Sequence, residues 1–426
     1  MSERVVLYDT TLRDGAQANG VTFTVEAKLV ALDLLDRFGI PYIEGGWPGA
    51  NPTDTEFFAR AQDVRLRQAR LVAFGSTRRA NSRAEDDAGL LALLESRAPV
   101  CALVGKASRF HVEQVLRTTL EENLRMVGDS IRYLKAHGRE VIFDAEHFFD
   151  GYKGDPEYAT RVLRTAAGAG ADWLVLCDTN GGTLFTEVSS IVSAMSELNI
   201  PLGIHTHDDT GLAVANSLAA VQAGARMVQG TINGYGERTG NANLLTVAPT
   251  LQLKLGFECL AADRLAELTW LSHEFGRLSG CAPSPKLPYV GQDAFAHKAG
   301  LHADGVSKTS RAYEHIDPLA VGNARHFVVS EMAGRASLRQ RVEEMGLGVP
   351  SEEFLRELTQ AVKEGESRGV RYEERPAAFE RLVLTLIPRD ASTWRPAHAA
   401  SAEQVHVQVG NGVVGIAAGI DYQAVA

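Results

Sequence analysis

The sequence predicts a (β/α)8 TIM barrel, followed by a helical linker subdomain and a short tail. Three observations carry that prediction. A short apolar run followed by a helix-patterned stretch recurs at a spacing of roughly 25 to 35 residues. The apolar runs are continuous rather than alternating, as strands buried on both faces require. The polar, motif-like loops all follow strands, which in a barrel places them together on the C-terminal rim. An open doubly wound sheet is the competing architecture, but the Gly-rich fingerprint it usually carries after its first strand is absent.

Arg4–Asp9 reads as the first strand and opens into Thr10-Thr11-Leu12-Arg13-Asp14-Gly15. Thr24 caps the first helix, Leu29, Leu32, Leu35 and Phe38 form its apolar stripe, and Gly39 stops it. The second strand, Tyr42–Glu44, ends in Gly45-Gly46-Trp47-Pro48-Gly49, and the third, Ala69–Phe74, leads to Gly75-Ser76-Thr77-Arg78-Arg79. Val100–Val104 is the fourth strand, with a helix over Val112–His137. Glu140–Asp144 leads to Ala145-Glu146-His147, and Trp173–Cys177 leads to Asp178-Thr179-Asn180. The seventh strand, Leu202–His205, runs into Thr206-His207-Asp208-Asp209, and the eighth, Met227–Thr231, into the Gly-rich loop ending at Asn241.

The pattern changes near Phe257, giving domains at 1–258 (barrel), 259–380 (linker and helical subdomain) and 381–426 (tail). Residues 262–280 and 335–364 read as helical, and 281–288 as a Pro-rich linker. Arg381–Ile387 is strand-like, and Val405–Val409 with Val413–Ile416 flank a hairpin signal at Gly410-Asn411-Gly412.

At 426 residues the chain suits one barrel of about 250 residues plus additions. It is 45% hydrophobic and 23% charged, ordinary for a globular protein. A net charge of −10 argues against nucleic acid or an anionic membrane as partner. With no long apolar run and no secretory leader, the expected location is cytoplasmic. Cys101, Cys177, Cys259 and Cys281 lack any CxxC spacing and read as reduced thiols.

His205 and His207 are two residues apart at a strand end, so their side chains share a face. Alone, such a pair is equally a hydrogen-bonded structural feature. Closure of a barrel changes the balance, because strand 8 then neighbours both strand 7 and strand 1 and brings Asp14, His205, His207 and Asn241 to one seam. This mixed nitrogen and oxygen set suits a divalent ion such as Mg²⁺, Mn²⁺, Co²⁺ or Zn²⁺ with an open position for substrate. Arg13, beside Asp14, is placed to stabilise charge on a substrate carbonyl, and Thr179 to hydrogen-bond a carboxylate. Glu146 is a base or an orienter of a bound water. Asp9 and Glu44 read as supports for these groups.

Asp9-Thr-Thr-Leu-Arg-Asp-Gly15, His205-Thr-His207-Asp-Asp and Gly236-Glu-Arg-Thr-Gly-Asn241 together resemble the DRE-TIM metallolyase superfamily. Within it they resemble the Claisen-condensing acyltransferases: the isopropylmalate, homocitrate and citramalate synthases. Tyr42-Ile-Glu-Gly-Gly-Trp-Pro-Gly49, Phe143-Asp-Ala-Glu-His-Phe-Phe-Asp-Gly-Tyr-Lys153 and Gly230-Thr-Ile-Asn-Gly-Tyr-Gly236 are similar to the citramalate synthase branch. The resemblance implies Asp14, His205, His207 and Asn241 as metal ligands, with Arg13, Glu146 and Thr179 at catalytic and oxo-acid-binding positions. His302 and Tyr313 match residues that, in relatives, reach the partner subunit's active site, which implies a homodimer. The implied reaction joins acetyl-CoA, as co-substrate, to pyruvate and hydrolyses the thioester to citramalate and CoA, a step of isoleucine biosynthesis. Another 2-oxo acid, giving isopropylmalate or homocitrate, is the nearest alternative, and a non-catalytic metal-binding barrel is the alternative of another class. Arg78, Arg79 or Lys106 offers charge to the CoA phosphates. The Gly234–Asn243 loop lacks the cysteine of the hydroxymethylglutaryl-CoA lyases, and the tail is shorter than a regulatory domain and reads as a remnant of one.

Overall fold

A computed structural model of the chain describes residues 3–330, 332–387 and two short strands at 406–409 and 412–415. It divides into two compact units, Met1–Phe295 with Asp317–Ala324, and Ala296–Ile316 with Arg325–Ala426.

The first unit is a closed parallel barrel of β1 (Val6–Asp9), β2 (Tyr42–Gly46), β3 (Arg70–Ser76), β4 (Val100–Lys106), β5 (Glu140–Glu146), β6 (Trp173–Asp178), β7 (Leu202–Thr206) and β8 (Met227–Gly230), in that order. It closes where β1 pairs with β8, Val6 opposite Met227 through Asp9 opposite Gly230. The predicted barrel is therefore the observed one, and the strands it contains are buried on both faces. Local chemistry sets the helix limits. Thr24 Oγ1 accepts from Ala27 N at 3.1 Å to open the helix Val25–Phe38, and Gly39 closes it in the left-handed region at φ 103°. Asn51 caps Pro52–Ala61 and Asp155 caps Pro156–Gly168, each with proline in the first turn.

Alternate residues of the strands point inward. Tyr42, Val72, Val100, Ala102, Ile142, Val175 and Met227 fill the barrel interior. The next inward positions towards the C-terminal rim are polar: Thr10, Glu44, Asp144, His205 and Gln229 are all buried. The barrel interior thus changes from hydrocarbon to polar within one turn of the pleat, and that change locates the site.

Two expectations are corrected. The helix expected over Val112–His137 is broken: a wide turn, His111–Val115, is followed by Arg117 at φ 54° and a fresh helix, Leu120–Ala136, capped by Thr119. Arg381–Ile387, read as strand, lies within the helix Pro376–Leu386 and its C-cap. Phe379 and Val383 recur at helical spacing and are buried against Leu338, Leu355 and Leu358, so packing overrides the β-preference of the run. The helices Arg335–Glu344 and Glu352–Ser367 share that core, which belongs to the second unit. In the same unit Ala296–His297 (β9) pairs with His326–Phe327 (β10), and Arg325 grips Glu314 with two 2.6 Å hydrogen bonds. His406–Val409 and Gly412–Gly415 pair antiparallel, while Gly410, Asn411 and the rest of the tail lie outside the described residues.

Candidate metal centre and substrate cavity

A cavity of 530 Å³ opens at the C-terminal rim of the barrel. Arg13, Asp14, Glu146, Thr179, His205 and His207 all line it, so six of the sequence-derived site residues of the barrel share one chamber, while Asn241 is not among its lining residues.

The seam between β7, β8 and β1 holds the candidate ligand set. Asp14, His205 and His207 each present an atom within 4.8 Å of the others, and all three are buried. Asp14 Oδ2 is 3.4 Å, and His207 Nε2 3.5 Å, from His205 Nε2. His205 Nδ1 faces Gln229 Oε1 at 2.9 Å, so its proton belongs on that side and Nε2 is left as a lone pair. Asn241 brings its amide end to 3.2 Å from His205 Nε2, and its Oδ1 is buried without a hydrogen-bond partner. A half-turn of the amide presents that oxygen to the cluster. Two imidazole nitrogens, a carboxylate and an unsatisfied amide oxygen converge with no proton required between them, which is the donor set of a divalent cation.

The backbone holds these groups in place. His207 and Asn241 form an isolated antiparallel bridge, and Asp208 N donates to Gly240 O at 2.9 Å. Gly236 has φ +158°, and a Cβ there would lie 1.9 Å from Asn241 Oδ1, so only glycine leaves room for the amide. Burial raises the proton affinity of the Asp14 carboxyl, but Arg13 first, and then His205, hold it well below the usual carboxylate range. Asp14 raises His205 against the effect of burial, whereas burial pushes His207 down to about 4.

Arg13 is clamped from three sides. Nε donates to Glu44 Oε1 at 2.5 Å, Nη1 lies 3.1 Å from Asp14 Oδ2, and the guanidinium stacks 3.8 Å from the centre of the Phe74 ring. Trp47 in turn packs edge-on against Phe74. Glu44, also bonded by Tyr8 Oη and Thr10 Oγ1, is the anchor that keeps Arg13 aimed into the cavity. Asp9 accepts from Thr11 N and Oγ1, and Thr11 Oγ1 accepts from Ile232 N at 2.8 Å, so Asp9 ties the first loop to the last one. Both acids fill the supporting positions expected of them.

On the facing arc, Glu146 and Lys106 are register partners of β5 and β4 and form an ion pair. Thr179 Oγ1 accepts from His147 N at 2.8 Å, which leaves its own hydroxyl proton for a ligand. His147 reaches that position with φ 57° and stacks on His111 at 3.6 Å. Arg78, one of three cations expected at the CoA phosphates, is buried and committed to Glu122 at 2.7 Å and Asp129 at 2.8 Å. Lys106 is likewise paired, and Arg79 is exposed. His302 and Tyr313 belong to the second unit, where their rings stack at 4.1 Å and both are exposed.

Sequence reasoning missed Tyr8, Asp144, Gln229 and Arg238. Arg238 joins three loops: it holds Asp209 by two 2.8 Å bonds and donates to Thr179 O. Asp144 and Gln229 had a signal, since each is a polar residue at an inward position of an otherwise apolar strand, two residues from a site residue or opposite one. Burial, then Glu44, push the Asp144 carboxyl up to about 7.

Residues 4–268 match the HMGL-like family model, and residues 289–369 the homocitrate synthase post-HMGL domain-like model. An (R)-citramalate synthase of Streptomyces coelicolor is 53% identical over 380 residues, covering 88% of this chain and 71% of that protein. An (R)-citramalate synthase of Aquifex aeolicus is 49% identical over 386 residues, covering 90% and 73%. Among solved structures, the HMG-CoA lyase from Brucella melitensis is similar in fold, with a TM-score of 0.54 at 20% identity over 66% of this chain and 100% of that one.

Proposed function

The chain belongs to the HMGL-like family, and on that premise we propose that it is a citramalate-forming acyltransferase. The reaction is acetyl-CoA + pyruvate + water → citramalate + CoA, which feeds isoleucine biosynthesis. The observation that carries this reading is the convergence of Asp14, His205 and His207 beside Arg13, in the cavity that also holds Glu146 and Thr179.

Asp14, His205, His207 and Asn241 would hold a divalent ion, which would supply Lewis acidity for the keto group of the oxo acid. Arg13, fixed by Glu44, stabilises the negative charge that grows on the keto oxygen. The Thr179 hydroxyl donates to the pyruvate carboxylate, its acceptor side being occupied by His147 N. Glu146 removes a proton from the acetyl methyl group. The resulting enolate carbon bonds to the keto carbon, the C=O electron pair moves onto the oxygen that Arg13 faces, and that oxygen takes the proton that Glu146 removed, relayed by water, to become the hydroxyl of citramalate. Water then cleaves the thioester and CoA leaves as the thiol, which drives the sequence towards citramalate.

His302 and Tyr313 are assigned to the partner copy's site in a homodimer, where they hold the water that relays the proton. Two stacked polar rings left exposed on their own unit support that assignment. No helix among the described residues is long and apolar enough to cross a membrane, in keeping with a cytoplasmic enzyme.

A CoA-release assay over a panel of 2-oxo acids tests the reading. Pyruvate is expected to exceed 2-oxoisovalerate and 2-oxoglutarate in kcat/KM by about tenfold or more, the discrimination a few methylenes allow. A branched or dicarboxylic oxo acid outrunning pyruvate refutes it.

A further inference from the structure

Gln229 and Asp144 take no part in the steps above, yet both are buried on the inner face of the barrel beside the ligand cluster. Gln229 lies in register with His205 on one side and with Tyr8 on the other, and its side chain spans towards β5. Its Oε1 accepts from His205 Nδ1 at 2.9 Å, and its Nε2 donates to Asp144 Oδ1 at 3.0 Å.

A carboxamide has one accepting end and one donating end. With the donating end spent on a carboxylate, only the oxygen remains to face His205, so the imidazole proton must sit on Nδ1. That leaves Nε2 bare, and Nε2 is the nitrogen that faces Asp14 and His207. If the amide were turned, its N–H would point at Nδ1, the ring proton would move to Nε2, and the atom a cation needs would be blocked. While ionised, Asp144 opposes that turn, because the amide oxygen would then face its carboxylate. The neighbouring ligand lacks such control: His207 Nδ1 is buried with no hydrogen-bond partner.

We propose that Gln229, anchored by Asp144, is a positioning residue that holds His205 in the Nδ1–H tautomer and so sets the metal affinity of the Asp14–His205–His207 site. This rests on the metal reading of that site. Second-layer partners of metal-bound histidine commonly change affinity by about 10- to 100-fold, so the effect is measurable without any turnover.

The test titrates Mn²⁺ calorimetrically into the full chain stripped of metal. Gln229→Met keeps the reach of the side chain and removes both polar ends. It is expected to weaken Mn²⁺ binding by about 10- to 100-fold, with an unchanged circular dichroism spectrum. The double exchange Asp144→Asn with Gln229→Glu reverses the donor and acceptor between the two positions while keeping an acceptor against His205 Nδ1. It is expected to bring affinity back to within several-fold of the parent. Should Gln229→Met fail to fold, Asp144→Ala, which removes the acceptor for Gln229 Nε2 and frees the amide to turn, serves as the weakened single variant. Parental affinity in the single variant, or no recovery in the double exchange, overturns the relay. His207→Ala separates the two readings: unchanged Mn²⁺ binding there overturns the metal site itself, whereas its loss there with parental affinity in Gln229→Met overturns only the relay.

Discussion

The two sides of the cavity are built to different specifications. On the closing seam, Asp14, His205, His207 and Asn241 are each at most 6% exposed, and backbone bonds between the last two barrel loops hold His207 and Asn241. On the facing arc, the Glu146 side chain is 25% exposed, pairs with Lys106, itself 19% exposed, and lies 3.9 Å from His147 Nε2. A ligand set that must keep its geometry gains from burial and a rigid backbone. A base that must gain and lose a proton and exchange partners needs water nearby and a partner it can leave. The seam is therefore scaffold-like and the arc adaptable, within one chamber.

The comparison can be broken most decisively at the seam. Asp14→Ala or His207→Ala is expected to lower turnover by roughly 10³-fold and to abolish stoichiometric metal by elemental analysis. Retained metal in both variants would remove the basis for treating the seam as a ligand set. A smaller effect is expected on the arc, and of another kind. Glu146→Gln should lower kcat by about 10²- to 10⁴-fold while metal content and pyruvate binding stay at parental values. Metal loss in that variant would show that the two sides are one network rather than two.

The smallest effect concerns stability. Burial pushes His147 down to about 4, with Lys106 and His111 acting in the same direction and Glu146 and Asp150 against it. The unfolded chain takes up this proton near pH 6.5, earlier than the folded one. Its stabilising contribution is therefore complete above that pH and is lost as pH falls from about 6.5 to about 4. His147→Asn, which tolerates the left-handed backbone, should reduce the drop in Tm across that window by about 2–4 °C. An identical drop in parent and variant would refute burial of a neutral imidazole there.

The sequence made the seam more legible than its supports, for a physical reason. Asp14, His205, His207 and Asn241 lie in loops or at strand ends, where polar residues stand out against apolar runs, and closure of a counted barrel brings them together. Asp144 and Gln229 sit inside strands, where attention to apolar continuity hides a single polar residue unless its inward parity is checked. The partners of Arg78, Glu122 and Asp129, come from a helix some forty to fifty residues further on, so nothing local marked that guanidinium as spent. The Arg381–Ile387 error has the opposite origin: β-branched and leucine residues satisfied a local pattern, and only the buried face against Leu355 and Leu358 made the segment helical. His302 and Tyr313 carried no physical signal and entered through resemblance alone.

The pairing of β1 with β8 has a consequence for how the protein comes into being. Asp14 is made among the first residues and His205, His207 and Asn241 among the last of the barrel, so the cluster joins contacts of very high sequence separation. The chain-entropy cost of that meeting is met only when the final strand docks. Under the proposed metal site, no partial barrel emerging from a ribosome would own a complete set of ligands, and a cation could not act as an early nucleus for folding. Metal capture would instead report that the ring has closed, a late checkpoint in the life of the polypeptide.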